Sequence, residues 1–109
     1  MTADSDTLLV FTNLPDRASA DTLAGALVSG SLAACVNVLA PCRSVYRWKG
    51  ELQHDEEYPV LIKTTRARYA ALETAIRSAH PYELPEIIAV AASAGLPEYL
   101  AWVAKETAP

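Results

Sequence analysis

The chain has 109 residues, of which 51% are hydrophobic and 20 are alanine, enough for one small core and not for two. Its net charge is −4, from 13 acidic and 9 basic residues, so no basic stripe exists to neutralise a nucleic-acid backbone. No apolar run approaches the roughly 20 residues that span a bilayer, and the acidic start Met1-Thr2-Ala3-Asp4-Ser5-Asp6 is unlike the basic head of a secretory signal. The chain therefore reads as cytoplasmic.

Residues 1–109 form a single domain in this reading, with an ordered core from about 7 to 106 and loose ends. Thr7 to Thr12 is a short apolar run closed by Asn13-Leu14-Pro15-Asp16, which predicts a strand buried on both faces and then a turn. From Asp16 to Ser29, Ala20, Leu23, Ala24 and Leu27 fall at the spacing of an amphipathic helix. Asp16 or Ser19 can cap its start, and Gly30 stands where a C-cap glycine belongs. Leu32 to Ala40 predicts a second strand. Pro41 lacks an N–H donor and must bend it, after which Val45-Tyr46-Arg47-Trp48 resumes it. Lys49-Gly50 is a turn signal, and Glu51 to Thr64 returns as the third strand. These two strands exceed the usual 5–6 residues, so their hairpin should project beyond the sheet.

Ala67 to Ala79 predicts a second helix with Tyr69, Leu72, Ile76 and Ala79 as its stripe, capped by Thr64 or Thr65. It ends at His80-Pro81, because the residue before proline leaves the α region. Glu86 to Ala91 is the fourth strand. A short final helix starts at Pro97, with Tyr99, Trp102 and Val103 on one face. The class is α+β. The order β-α-β-β-α-β plus a C-terminal helix predicts a ferredoxin-like split βαβ with both long helices on one sheet face. The other face is too apolar to stay wet and too large for the last helix, so another subunit is expected to cover it.

Particular residues then sharpen the pattern. Leu32-Ala33-Ala34-Cys35-Val36-Asn37, Tyr46-Arg47-Trp48-Lys49-Gly50, Ile62-Lys63-Thr64-Thr65, His80-Pro81-Tyr82-Glu83-Leu84-Pro85-Glu86 and Tyr99-Leu100-Ala101-Trp102 occur in this order. The series resembles the CutA family of divalent-cation tolerance proteins, from about Leu8 to Trp102. The resemblance implies a tight homotrimer related in architecture to PII-type signalling proteins, residence in the cytoplasm, and a role in tolerance of copper and other divalent cations. It implies no enzymatic activity and no required cofactor, with copper or another divalent cation as a possible ligand. The copper site proposed for some members uses a Cys after the first strand and a His-His pair before Pro-Tyr. Those positions hold Thr12, Ala79 and His80 here, so one of the three ligands is retained.

The candidate ligand-binding residues, on an inter-subunit cleft, are Trp48, Glu57, Lys63, His80, Tyr82 and Glu86. His80 can be a metal ligand or a helix-ending residue bonded to a backbone carbonyl. Cys35 offers a soft thiolate for Cu(I) or simply packs as a small apolar side chain. Cys42, in the bend, is expected to be the more exposed thiol, and the two cysteines are not expected to pair. His54-Asp55-Glu56-Glu57 can bring at most two side chains together, because strand neighbours alternate in direction. Lys63 follows an apolar run and needs a partner: Glu57, Glu86 or Tyr82 of the same or a neighbouring subunit in a structural salt bridge, or equally an anionic ligand. Trp48 reads as an anchor in the next subunit, and Tyr99 with Trp102 as packing of the last helix. The competing functions are a PII-like signalling or structural interaction trimer with no specific metal site, and an enzyme. The enzyme ranks last, since no Gly-rich phosphate cradle beside an Arg and no acid-base constellation stands in the chain.

Overall fold

The computed structural model describes residue 3 and residues 6–109. Most of the N-terminal stretch expected to be loose (residues 1, 2, 4 and 5) lies outside the described residues. The elements are β1 (Thr7–Leu14), α1 (Arg17–Ser29), β2 (Cys35–Val38), β3 (Cys42–Trp48), β4 (Glu51–Thr65), α2 (Arg66–Ala79), β5 (Ile88–Ala91) and α3 (Pro97–Glu106). Every strand pair is antiparallel. The sheet order is β2-β4-β1-β5, with β3 paired to β4 away from that path. Counting the hairpin strand β4 as the third, this is the order of a split βαβ unit.

The expected second strand is two strands, giving five in all. Cys35–Val38 pairs with Val60–Lys63 of β4. Leu39 makes one more bond, to the Pro59 carbonyl at 2.9 Å, and then Pro41 breaks the ladder for want of an N–H. Cys42–Trp48 pairs instead with the far half of β4, Glu51–Glu57. β4 thus serves two partners along its 15 residues. The hairpin it forms with β3 stretches the molecule to 43 Å along one axis, against 28 and 23 Å on the others. The radius of gyration, 14.4 Å, exceeds the roughly 13 Å of a compact chain of this length.

Alternation in β1 and β4 sets the core. Leu8, Val10, Leu14, Val60 and Ile62 face the helices and are buried, against Ala20, Leu23 and Leu27 of α1 and Leu72 and Ile76 of α2. Burying each large aliphatic side chain contributes about 1.5–3 kcal/mol. The opposite face carries Leu9, Phe11, Leu61, Ile88 and Val90, brought side by side by the register. β1 is therefore not fully buried on both faces within one chain: Leu9 and Phe11 are half-buried, and Ile88 and Val90 are exposed. Only α3 reaches this face, at one corner.

The helix ends follow the local chemistry. Asp16 caps α1 by accepting from the Ser19 amide at 2.7 Å, and that bond holds its carboxyl below the usual value. Gly30 is the C-cap with an ordinary φ of −85°; the left-handed residue is Ser31, at φ 58°. Thr65 begins α2 without a side-chain cap, because its hydroxyl faces Thr107 instead. In α3 the buried stripe runs through Val103 and on to Thr107, whose hydroxyl donates to the Val103 carbonyl at 2.8 Å. Tyr99 and Trp102 are not packed under the helix as expected. They lie on its flank, 40% and 41% exposed, with ring centroids 5.6 Å apart.

Candidate functional site

The α2–β5 connection meets the root of the hairpin, and here three of the expected residues, His80, Tyr82 and Glu57, come together, while Trp48 lies at the far end of the hairpin. His80 is the C-cap of α2, its amide bonded to the Ile76 carbonyl at 2.9 Å. Proline at 81 forces it out of the helix into an extended conformation. Its ring turns inward and is 8% exposed. Nε2 lies 2.7 Å from the Asn13 carbonyl, an acceptor, so Nε2 carries the proton. Nδ1 accepts from the Tyr82 amide at 3.2 Å. Burial pushes the ring below its ordinary pKa, opposed by the bond to Asn13 and by the nearby Glu57 charge. His80 is a neutral imidazole with both nitrogens in use.

Tyr82 leaves this anchor and reaches the hairpin. Its ring centroid is 4.8 Å from that of His80. Its hydroxyl donates to the Glu57 carboxylate at 2.8 Å. Burial, and then the bond to Glu57, push the phenol well above its ordinary pKa, so it stays a donor at every physiological pH. Glu57 is 6% exposed. It sits mid-way along β4, opposite Cys42 where the hairpin ladder ends, and alternation turns it and Asp55 to one side and His54 and Glu56 to the other. Asp55 accepts from the Tyr46 hydroxyl. Further out, Lys49 makes an ion pair with Glu83 at 3.5 Å, and its ammonium lies 5.5 Å from the Trp48 ring centroid.

Lys63 and Glu86 do not join this cluster. Lys63 lies six positions from Glu57 along β4, roughly 20 Å of strand. Its ammonium donates to the Asn37 side-chain carbonyl and lies 3.9 Å from the Cys35 sulfur. Neither Glu57, Glu86 nor Tyr82 is its partner within the chain. Asn37 was the missed residue, and the signal for it is the two-residue spacing from Cys35, which puts both on one face of β2. Glu86 is exposed ahead of β5. Cys42 is half-buried rather than open, 3.7 Å from the Ser44 hydroxyl. Cys35 and Cys42 pair with Lys63 and Glu57 of β4, far beyond the roughly 7 Å Cα separation that a disulfide tolerates.

The metal ligand types implied by the resemblance do not assemble. Thr12 points into the helix-side core, 1% exposed, with no partner for its hydroxyl among the described residues. Ala79 brings no donor atom. His80 has no free lone pair, and Cys35 is four strand positions away along β1, at the level of Leu9 rather than Asn13. Among the described residues no three of His, Cys, Asp and Glu are placed to hold a metal ion. No helix there is long and apolar enough to cross a membrane.

Comparison with known proteins places this geometry. The family model described as CutA1 divalent ion tolerance protein matches residues 8–106. The chain is 40% identical over 99 residues to the divalent-cation tolerance protein CutA of Thermus thermophilus, covering 91% of this chain and 96% of that one. It is 36% identical over 100 residues to a protein CutA 1, chloroplastic, of Oryza sativa, covering 92% of this chain but only 56% of the longer plant protein. The crystal structure of CutA from Xylella fastidiosa superposes with a TM-score of 0.92 at 44% identity, covering 94% of this chain and 99% of that one.

Proposed function

The chain belongs to the CutA1 family of divalent ion tolerance proteins, which are not enzymes, and from that premise we propose that it acts as a homotrimer in the cytoplasm. One observation carries the assembly. The sheet face opposite α1 and α2 presents Leu9, Phe11, Leu61, Ile88 and Val90 together, and no element among the described residues covers its middle. Contiguous apolar surface of this kind marks a protein–protein contact. The hairpin, which pairs with nothing beyond itself over Glu51–Glu57, offers edges that a neighbouring chain would complete. A cytoplasmic location fits two cysteines placed too far apart to bridge. Substituting Ile88→Lys or Val90→Lys tests the face: each variant should stay folded and elute as a smaller species. An unchanged elution volume for both contradicts the reading.

The ligand cleft of that assembly is proposed at the Glu57–Tyr82–His80 cluster, with Trp48, Lys63 and Glu86 brought to it by a neighbouring chain. Copper held through His80 would require the ring to give up its bond to Asn13 or to Tyr82. We therefore propose that direct copper binding through His80 is weak, and that tolerance acts through the assembled trimer. Calorimetric titration with Cu(II) and with Cu(I), on the parent and on His80→Ala, is the test. Weak heats that are indifferent to the substitution support this reading; tight binding that is lost in His80→Ala overturns it.

A further inference from the structure

The β3–β4 hairpin is attached to the main sheet at its root only, through the continuity of β4 and through the short link from β2 across Leu39–Pro41. Beyond Tyr58 its sole ladder is the one between its own two strands. An isolated two-stranded ribbon is marginal in water, so within one chain a further contact is needed to set its direction. The segment from His80 to Glu83 supplies one at each end. Tyr82 bonds Glu57 at the root at 2.8 Å. Glu83, the next residue, reaches the opposite way to Lys49 at the turn. The segment is itself held still. His80 is bonded to β1 through Asn13 and to Tyr82 through its other nitrogen, and Pro81 and Pro85 restrict the backbone on either side.

We propose that the α2–β5 loop is a strut that fixes the angle of the hairpin to the sheet, with Tyr82 as the positioning residue. The chain of contacts runs from the core to the hairpin without a gap: Asn13 holds His80, His80 holds the Tyr82 backbone, and the Tyr82 hydroxyl holds Glu57. The bond at the root carries the load, because its acceptor is a buried carboxylate and its geometry is short. The pair at the tip, Lys49 with Glu83, is largely solvated and trims the angle only weakly. The consequence, a hairpin presented at one angle to a second copy of the chain, rests on the assembly reading above. The strut itself does not.

Amide hydrogen exchange on the full chain separates the two. In Tyr82→Phe, amides of Cys42–Trp48 and Glu51–Glu57 should exchange about tenfold faster, as expected for losing a hydrogen bond to a charged acceptor, while those of Val10, Ile62, Leu72 and Ile76 keep their rates. Glu57→Gln keeps an acceptor but not its charge, and its hairpin rates should fall between those of the parent and of Tyr82→Phe. Hairpin rates unchanged in Tyr82→Phe, or hairpin and core rates rising together, overturn the strut. If Tyr82→Phe fails to fold, Glu57→Ala decides by the same comparison. A parent that is a monomer but shows a loosened hairpin in Tyr82→Phe sinks the assembly reading and keeps the strut; a trimer with an unaffected hairpin does the reverse.

Discussion

The hydroxyl of Tyr82 donates to the Glu57 carboxylate at 2.8 Å, tying the loop after the second helix to the base of the long hairpin. Behind that bond stands His80, whose two ring nitrogens are spent on Asn13 and Tyr82. The residues that looked most like ligands are thus first of all a scaffold.

Acid should weaken the fold through His80. Burial sets its native pKa below the unfolded value of about 6.5. Between those two values the unfolded chain binds a proton that the native one does not, so this contribution is fully present above the unfolded pKa. It is lost as pH falls towards and through the native one. Urea midpoints across that window should drop for the parent and drop less for His80→Gln, which does not titrate. Equal slopes would mean that His80 is not held neutral.

Thr12→Val should stabilise the chain. The hydroxyl is buried in the helix-side core without a partner among the described residues, and valine has nearly the same shape without the unsatisfied group. The gain should be about 1 kcal/mol, read from denaturant midpoints at constant slope. A loss of stability would show that the hydroxyl is satisfied after all.

Gly25 lies in the exposed interior of α1, and a Cβ there meets nothing within 4 Å. Gly25→Ala should therefore raise stability by about 0.5–1 kcal/mol through helix propensity alone. The opposite sign would point to a close approach of another chain on this face of α1.

The hairpin turn holds Lys49 at φ 50° and Gly50 at φ 83°, the left-handed pair of a type I′ turn, in which asparagine is preferred to lysine at the first position. Lys49→Asn should gain about 0.5 kcal/mol from relieved backbone cost. That exceeds the small loss from an ion pair whose side chains are 69% and 72% exposed. Thermal melts of Lys49→Asn and Glu83→Ala separate the two contributions.

Much of this was legible from residue order. The 3.6-residue stripe through Leu23 and Leu27, the Asp16 cap, the stop at His80-Pro81 and the hairpin turn at Lys49-Gly50 are local signals, and local structure obeys them. Pro41 announced a break, but not that the strand would resume on a different stretch of β4; that depends on register, which is set by the whole hydrophobic pattern. Partners of polar residues were the hardest to read. Lys63 finds Asn37 and not a carboxylate, because the β2–β4 register puts it opposite Cys35 and diagonal to Asn37 on the same face, and nothing near Lys63 in the sequence says so. Tyr99 and Trp102 looked like core for their size, yet the narrow stripe ending in Val103 and Thr107 takes the buried positions. The His80 alternatives were both written in the sequence, and only the placement of Asn13 and Tyr82 around the ring shows which nitrogen does what.

The most direct test of the central claim, that the uncovered sheet face and the hairpin belong to an assembly of identical chains, is the mass in solution. Light scattering on the purified protein at several concentrations should return three times the 11.7 kDa of the chain, unchanged on dilution. A stable species of 11.7 kDa at every concentration would contradict it.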